Sequence, residues 1–281
     1  MTIASRSRVA PLDLWSQAGL IQHRIAHAAR VFLFLDFDGT LAPIAPTPSL
    51  AAMPEGLRAV LQNLCARRDV VATVISGRAL DDLTRKVGLP LIYAGNHGLE
   101  IRGMGLEYSA PIPAKATEQL RDCCEVLRAL LAPFSGVWVE DKQRTLAVHF
   151  RQVARFQVPT VEGLVRATIM EYPELRIRGG KEVLEVRPDI AWNKGYAARW
   201  ILRQMRGSET GAICLGDDST DEDMFHELQS GITITIGDRN QSSAQYWLAE
   251  TDVPRFFSLL QVAVEHLRVS GNGVQRQGSL R

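Results

Sequence analysis

Val31-Phe32-Leu33-Phe34-Leu35-Asp36-Phe37-Asp38-Gly39-Thr40-Leu41 decides the fold. Five apolar residues run into two carboxylates at i and i+2, followed at once by Gly39-Thr40. A continuous apolar run of this length reads as a strand buried on both faces of a parallel sheet. Such sheets bind ligands beyond the carboxyl ends of their strands. Asp36 and Asp38 therefore stand where chemistry is expected, and their spacing can aim both carboxylates into one pocket.

On the C-terminal side of this stretch the pattern repeats. Pro43, Pro46 and Pro48 mark an extended loop, and Pro54 opens a helix to about residue 67. A second apolar run at 70–75 ends in Ser76-Gly77-Arg78, and a short helix from residue 80 leads to a strand at 91–94. Gly95-Asn96-His97-Gly98 forms a turn, and residues 99–102 and 106–109 read as a hairpin. On the N-terminal side, residues 14–29 have helical spacing with Asp13 placed to cap their start.

After Pro111 and Pro113 the order changes to helix (114–131), strands (137–140, 145–150), helix (158–171) and strands (175–178, 182–186). This reads as a small antiparallel sheet with helices on one face. The strand–helix alternation resumes at Asn193, with a helix at 194–205, a strand at 212–216, a helix at 220–229, a strand at 231–236 and a last helix at 254–267; residues 270–281 read as a polar tail. The expected fold class is α/β: a doubly wound, Rossmann-like parallel-sheet core at 1–110 and 188–281, interrupted by an α+β cap at 111–187.

The 281 residues are 46% apolar, enough for a proper core, and 32 basic residues balance 31 acidic ones for a net charge of +1. That balance argues against nucleic acid or a membrane surface as partner. Cys65, Cys123, Cys124 and Cys214 form no CxxC pair, so free thiols in a reducing compartment are expected. No secretory h-region precedes residue 30 and no later apolar run reaches membrane-spanning length, which leaves a cytoplasmic protein as the expectation. Oligomeric state stays open, with a monomer favoured.

A second acidic cluster, Gly216-Asp217-Asp218-Ser219-Thr220-Asp221-Glu222-Asp223, also follows an apolar strand. Thr220 as N-cap with acids in the first helical turn explains its second half. It does not explain Asp217 and Asp218, which precede the helix at the strand tip. Carboxylates at two strand tips suit a hard cation with oxygen ligands, most economically Mg²⁺. Ser76-Gly77-Arg78 can hold an anion through its hydroxyl and amides, and Asn193-Lys194-Gly195 brings an ammonium to a helix start. A divalent cation, a hydroxyl and a lysine together suit a phosphoryl group.

In this order, DFDGTL (36–41), ISGR (75–78), NKG (193–195) and GDDSTDED (216–223) resemble the four motifs of the haloacid dehalogenase superfamily of phosphatases. An α+β insertion between the second and third motifs resembles its α+β-capped members. YAGNHG (93–98), VEDK (139–142), VLEVRP (183–188) and GDDSTDED look like the trehalose-6-phosphate phosphatase family, with Phe37 where relatives often carry Tyr. The chain is too short for the synthase domain fused to some members. The resemblance implies hydrolysis of trehalose 6-phosphate, as a small-molecule substrate, through an aspartyl-phosphate on Asp36. It implies that Asp38 protonates the leaving sugar oxygen and then activates water. Mg²⁺ would be bound by Asp36, the Asp38 carbonyl and Asp217, with Asp218 and Asp221 orienting waters or Lys194. Ser76, Lys194, Gly77, Arg78 and the amides near Gly39 and Thr40 would take the phosphoryl oxygens.

Substrate choice falls to the cap, because the core motifs serve many phosphatases. Hydrogen-bonding candidates for the sugar hydroxyls are Asn96, His97, Glu140, Lys142, His149, Arg151, Lys181, Glu182 and Glu185. Period-two alternation would set Lys142, His149 and Arg151 on one face. Each also has a plain reading as a solvent-facing charge, and His97 as a turn residue. The rivals to the leading reading are a sucrose-phosphate or mannosyl-phosphoglycerate phosphatase, a phosphomutase, and a silent sugar-phosphate-binding regulator.

Overall fold

The structure, a computed structural model, describes residues 10–180, 182–238 and 242–267. Lys181 and the polar tail at 270–281 lie outside the described residues.

The first half of the chain forms β1 (Leu12–Asp13), α1 (Ala18–Ala26), β2 (Val31–Leu35), α2 (Glu55–Cys65), β3 (Val70–Ile75), α3 (Leu80–Val87), β4 (Ile92–Gly95), β5 (Glu100–Gly103) and β6 (Leu106–Ser109). Next come α4 (Ala114–Leu131), β7 (Trp138–Asp141), β8 (Leu146–His149), α5 (Val158–Met170), β9 (Leu175–Gly180) and β10 (Val183–Pro188). The last part holds α6 (Lys194–Gln204), β11 (Ala212–Gly216), α7 (Glu222–Glu227), β12 (Ile232–Ile236), β13 (Tyr246–Leu248) and α8 (Val253–Glu265).

Nine strands make one sheet in the order β1-β13-β12-β11-β2-β3-β4-β5-β6. All neighbours from β1 to β4 are parallel, and β5 and β6 extend the sheet as an antiparallel hairpin. The side chains of β2 divide between the two faces: Val31, Leu33 and Leu35 pack with α1, α2, α3 and α8, and Phe32 and Phe34 with α6 and α7. Burying each contributes about 1.5–3 kcal/mol, so the strand is anchored from both sides. The sheet is doubly wound. From β2 the chain passes to β3, and from β11 it passes to β12 on the other side, so the connections diverge between β2 and β11. Ligands of open α/β sheets bind at such a point.

A second sheet, β7-β8-β10-β9, is antiparallel throughout. Leu146, Val148, Leu184 and Val186 cover α4 and α5. The opposite parity turns Trp138, Glu140, His149 and Glu185 toward the tips of the large sheet. Among the described residues no helix is long and apolar enough to cross a membrane.

Local expectations are corrected at three places. Residues 14–29 are not one helix: Asp13 accepts from the Ser16 amide (3.0 Å) and caps a 3-10 turn at Leu14–Gln17, after which α1 runs only to Ala26. Thr220 does not cap α7. Its amide and hydroxyl both donate to Asp218 Oδ1 (2.6 and 2.7 Å), and α7 begins two residues later. The short strands β1, at the sheet edge, and β13, beside it, carry no run or alternation long enough to be read from sequence.

Candidate active site

Asp36 leaves β2 with its amide bonded to the Leu215 carbonyl of β11 (3.0 Å), which aims its carboxylate into the divide between the two strands. Lys194 reaches the same point from the first turn of α6, where Asn193 Oδ1 accepts from the Tyr196 amide (2.9 Å) and fixes the helix start. Gly195 is required because a Cβ there would stand 2.2 Å from the Asp223 carbonyl, and so α6 can lie against the start of α7. Lys194 Nζ donates to Asp36 Oδ1 (2.7 Å) and to Asp221 Oδ1 (2.8 Å), with all three side chains buried. Asp221 Oδ2 accepts the amides of Asp217 and Asp218, each at 3.1 Å. Asp221 thus braces the loop after β11 while orienting the lysine.

The charges are unbalanced. Burial pushes the Asp36 carboxyl well above its ordinary range, against the pull of Lys194, and the neighbouring Asp221, Asp217 and Asp218 add to the rise. Asp221 is pushed up to about 7, chiefly by burial and again against Lys194. Burial works against the Lys194 ammonium, but Asp221 and Asp36 hold its pKa well above the usual value. Asp218 goes the other way: despite burial, Lys194 and the Thr220 bonds hold it low.

One ammonium among these acids leaves Asp36 short of positive charge. Oxygens of Asp36, Asp217 and Asp221 lie within 4.8 Å of one another, an all-oxygen donor set that suits a hard divalent ion. A Cβ on Gly39, whose φ is +88°, would stand 2.3 Å from Asp217 Oδ2, so the turn after Asp38 leaves this carboxylate its room. The residues present fit a divalent cation.

Asp38 points elsewhere. Arg78 grips it with two parallel hydrogen bonds, Nε to Oδ2 and Nη2 to Oδ1, both 2.7 Å, and also bonds Asp82 Oδ2 (2.8 Å) and the Pro48 carbonyl (2.8 Å). Its guanidinium lies over the Phe37 ring at 5.2 Å. Arg78 is thus a clamp on Asp38 at the wall of the cavity. The amides near Gly39 and Thr40 are also engaged: Gly39 donates to the Ala42 carbonyl (2.7 Å) and Thr40 to Phe37 (3.4 Å). Neither residue lines the cavity.

The cavity is open to solvent and is lined by residues from both sheets and the loops between them. Asp36, Asp38, Ser76, Gly77, Arg78, Lys194, Asp217 and Asp218 line one side; Glu140, Lys142, His149, Arg151, Glu182 and Glu185 line the other, with His97 between. Lys142 Nζ ties the two sides by donating to the Gly77 carbonyl (2.8 Å) and Glu185 Oε1 (3.3 Å). Glu140 accepts from His149 (2.9 Å); burial raises its pKa, but this bond and Lys142 bring it below the ordinary value. Glu182 pairs with Arg151 (3.0 Å) and Arg155 (3.2 Å). Asn96 is not a sugar contact here. It is buried off the cavity, donating to Glu100 (2.8 Å) and accepting from the Thr145 hydroxyl (2.8 Å), and so joins the two sheets.

His97 is both a turn residue, with φ +59°, and a member of the cavity wall. Its Nε2 stands 2.5 Å from Glu185 Oε2 and 2.7 Å from Arg187 Nη2, and Arg187 binds the same carboxylate. Arg187 only donates and Glu185, ionised, only accepts, so Nε2 of a neutral His97 serves one of them and not both. Burial first, then Arg187, lowers the His97 pKa to about 3, outweighing the attraction of Glu185. Burial alone would raise Glu185, but His97, Lys142 and Arg187 hold it well below the carboxylate range.

A family model described as trehalose-phosphatase matches residues 34–252, which include all of these groups. The chain belongs to the trehalose-phosphatase family. A trehalose-phosphate phosphatase of Mycobacterium tuberculosis (strain ATCC 25618 / H37Rv) is 41% identical over 230 residues, covering 80% of this chain and 58% of the relative. One of Mycobacterium avium (strain 104) is 41% identical over 204 residues, covering 71% and 51%. The chain thus spans between half and two thirds of the length of these relatives. Among solved structures, the C-terminal domain of C. albicans trehalose-6-phosphate phosphatase superposes with a TM-score of 0.75 at 22% identity, covering 90% of this chain and 99% of that one. A haloacid dehalogenase-like hydrolase from B. subtilis gives 0.54 at 14% identity, covering 81% and 98%. At these identities the two structures speak for the fold, which they share with the doubly wound core.

Three residues of this trehalose-phosphatase family site escaped the sequence reading. Arg187 shares a parity with Glu185 on β10, and Trp138 with Glu140 on β7, a signal that alternation alone contains. Thr145, which binds the Asn96 side chain, carries no such signal.

Proposed function

We infer that this chain is an Mg²⁺-dependent phosphatase that releases inorganic phosphate from trehalose 6-phosphate, with residues 111–187 as the substrate-selecting cap on a core of 1–110 and 188–281. The observation that carries the reading is the buried Asp36 carboxylate at the tip of the central strand, 2.7 Å from Lys194 and grouped with Asp217.

Asp36 attacks phosphorus, a P–O bond forms to its carboxylate, and the bond to the sugar oxygen breaks. Asp38 gives that oxygen its proton. Asp38 then takes a proton from water as it attacks the aspartyl-phosphate, and Asp36 and phosphate separate. Splitting the displacement in this way replaces one hard step with two easier ones. Lys194 and Ser76 face the phosphoryl oxygens, where fixed positive charge and donors are most effective. When bound, Mg²⁺ would be held by Asp36, Asp217 and the Asp38 carbonyl and would neutralise phosphoryl charge. Asp221, whose oxygens are engaged by Lys194 and two amides, sets the geometry around it. Free cysteines at all four positions suit a cytoplasmic setting.

The test is phosphate release from a panel of sugar phosphates by purified protein, with Mg²⁺ and with EDTA. Trehalose 6-phosphate should be preferred over sucrose and glucose phosphates, and EDTA should abolish turnover. Hydrolysis of another sugar phosphate with none of trehalose 6-phosphate would overturn the assignment.

A further inference from the structure

Trp138 is 45% exposed yet sits on the wall of the cavity that contains Asp36. It contributes to none of the described hydrophobic clusters, so packing gives no reason for an indole here. Its position is nevertheless fixed. Trp138 and His149 are direct cross-strand partners, with rings stacked at 4.2 Å and only 9° apart, and His149 is held in turn by Glu140 at 2.9 Å. A supported aromatic surface on the wall of a cleft that also carries polar groups suits the C–H face of a pyranose ring. Such a ring lays its apolar hydrogens on the indole while its hydroxyls reach the polar groups around it.

The distance along β7 says which ring. Lys142 touches the Gly77 carbonyl beside the phosphoryl end. Trp138 lies four residues back along the strand, about 13 Å at the usual rise per residue. A ring carrying the phosphate falls beside Lys142 and Glu185, whereas only a second ring extends as far as Trp138.

We propose that the Trp138–His149 stack is the platform for the phosphate-distal sugar ring and makes the site select disaccharide over monosaccharide phosphates. This rests on the phosphatase reading above. The platform binds the reacting molecule without touching the reacting atoms, so its loss weakens capture and leaves the chemical step.

The experiment compares wild type, Trp138→Ala and Trp138→Phe on trehalose 6-phosphate and glucose 6-phosphate, measuring kcat and KM separately. For Trp138→Ala, KM for the disaccharide phosphate should rise about tenfold or more with kcat within about threefold, and the disaccharide-to-monosaccharide ratio of kcat/KM should fall by a similar factor. Trp138→Phe, which keeps a ring, should recover most of the loss. An unchanged disaccharide KM, or equal losses on both substrates, would overturn the platform while leaving the phosphatase assignment standing. If the wild type turns over only the monosaccharide phosphate, the trehalose reading and the platform fall together, a pattern distinct from the first.

Discussion

Arg78 and Asp38 are joined by a bidentate ion pair, two hydrogen bonds of 2.7 Å in which the planar guanidinium matches the carboxylate. A carboxylate in that grip is oriented but cannot donate a proton. Its service as an acid therefore requires exchange of partner, and an incoming phosphate dianion competes for the same guanidinium. Arg78→Lys keeps the charge and loses the fork, so Asp38 is no longer held in register. We expect kcat for phosphate release to fall about tenfold in Arg78→Lys, with a smaller change in KM. Wild-type kcat in this variant would mean that the clamp has no part in turnover.

Asp36→Asn should lower turnover by at least about 10³-fold, because an amide cannot form the covalent intermediate. Its effect on stability runs the other way. Burial raises the Asp36 pKa in the folded state, so the protonated form is preferred there and the stability it brings is lost as pH rises through the folded value. At neutral pH without metal, the neutral asparagine removes that penalty. The melting temperature of metal-free Asp36→Asn should equal or exceed that of wild type. A clear drop would show that the Lys194 pairing outweighs desolvation.

Much of this was legible in the sequence because the chemistry sits on strand tips, where long apolar runs announce the fold. The run at 31–35 gives β2, and the following acids mark its carboxyl end as the place of chemistry; that β11 lies beside it comes from the sheet order. What stayed hidden depends on which way a side chain turns. The sequence offers Arg78 as an anion ligand and gives no sign of its grip on Asp38; it offers Thr220 as a helix cap, where Thr220 instead binds Asp218. Asn96 was read as a sugar contact and instead joins the two sheets. Each has a second partner distant in sequence or a local turn that competes with the regular assignment, and periodicity carries neither. Trp138 was passed over because an aromatic on a short strand is ordinarily packing.

Asp36 and Asp217 are acids from two strands with too little positive charge between them, so a divalent cation should stabilise the folded protein. At a Mg²⁺ concentration about one hundred times Kd, linkage gives about 2.7 kcal/mol, or roughly 5–10 °C in Tm for a chain of this size. Asp217→Ala should reduce that shift by more than half and abolish turnover. Thermal melts with and without EDTA make the measurement. Equal Mg²⁺ shifts in the two proteins would place the ion somewhere other than this cluster.

His97 offers a test of the contact between the two sheets. Its pKa falls to about 3 in the folded protein, so below about pH 6.5 the unfolded chain binds a proton that the folded one refuses. The contribution of His97 to stability should therefore decline as pH falls from 6.5. Glu185, held well below the ordinary carboxylate range, adds its own loss only under more acid conditions, and the raised carboxyls of Asp36 and Asp221 act in the opposite sense over pH 5.0–6.5 in wild type and variant alike, so the difference between the two proteins isolates the histidine. His97→Asn removes the titration and suits the left-handed backbone at this position, with φ of +59°. Urea denaturation at pH 6.5 and 5.0 should show wild type losing up to about 2 kcal/mol more than His97→Asn over this interval. Parallel losses in the two proteins would mean that His97 accepts a proton while folded, with Glu185 strong enough to override burial and Arg187.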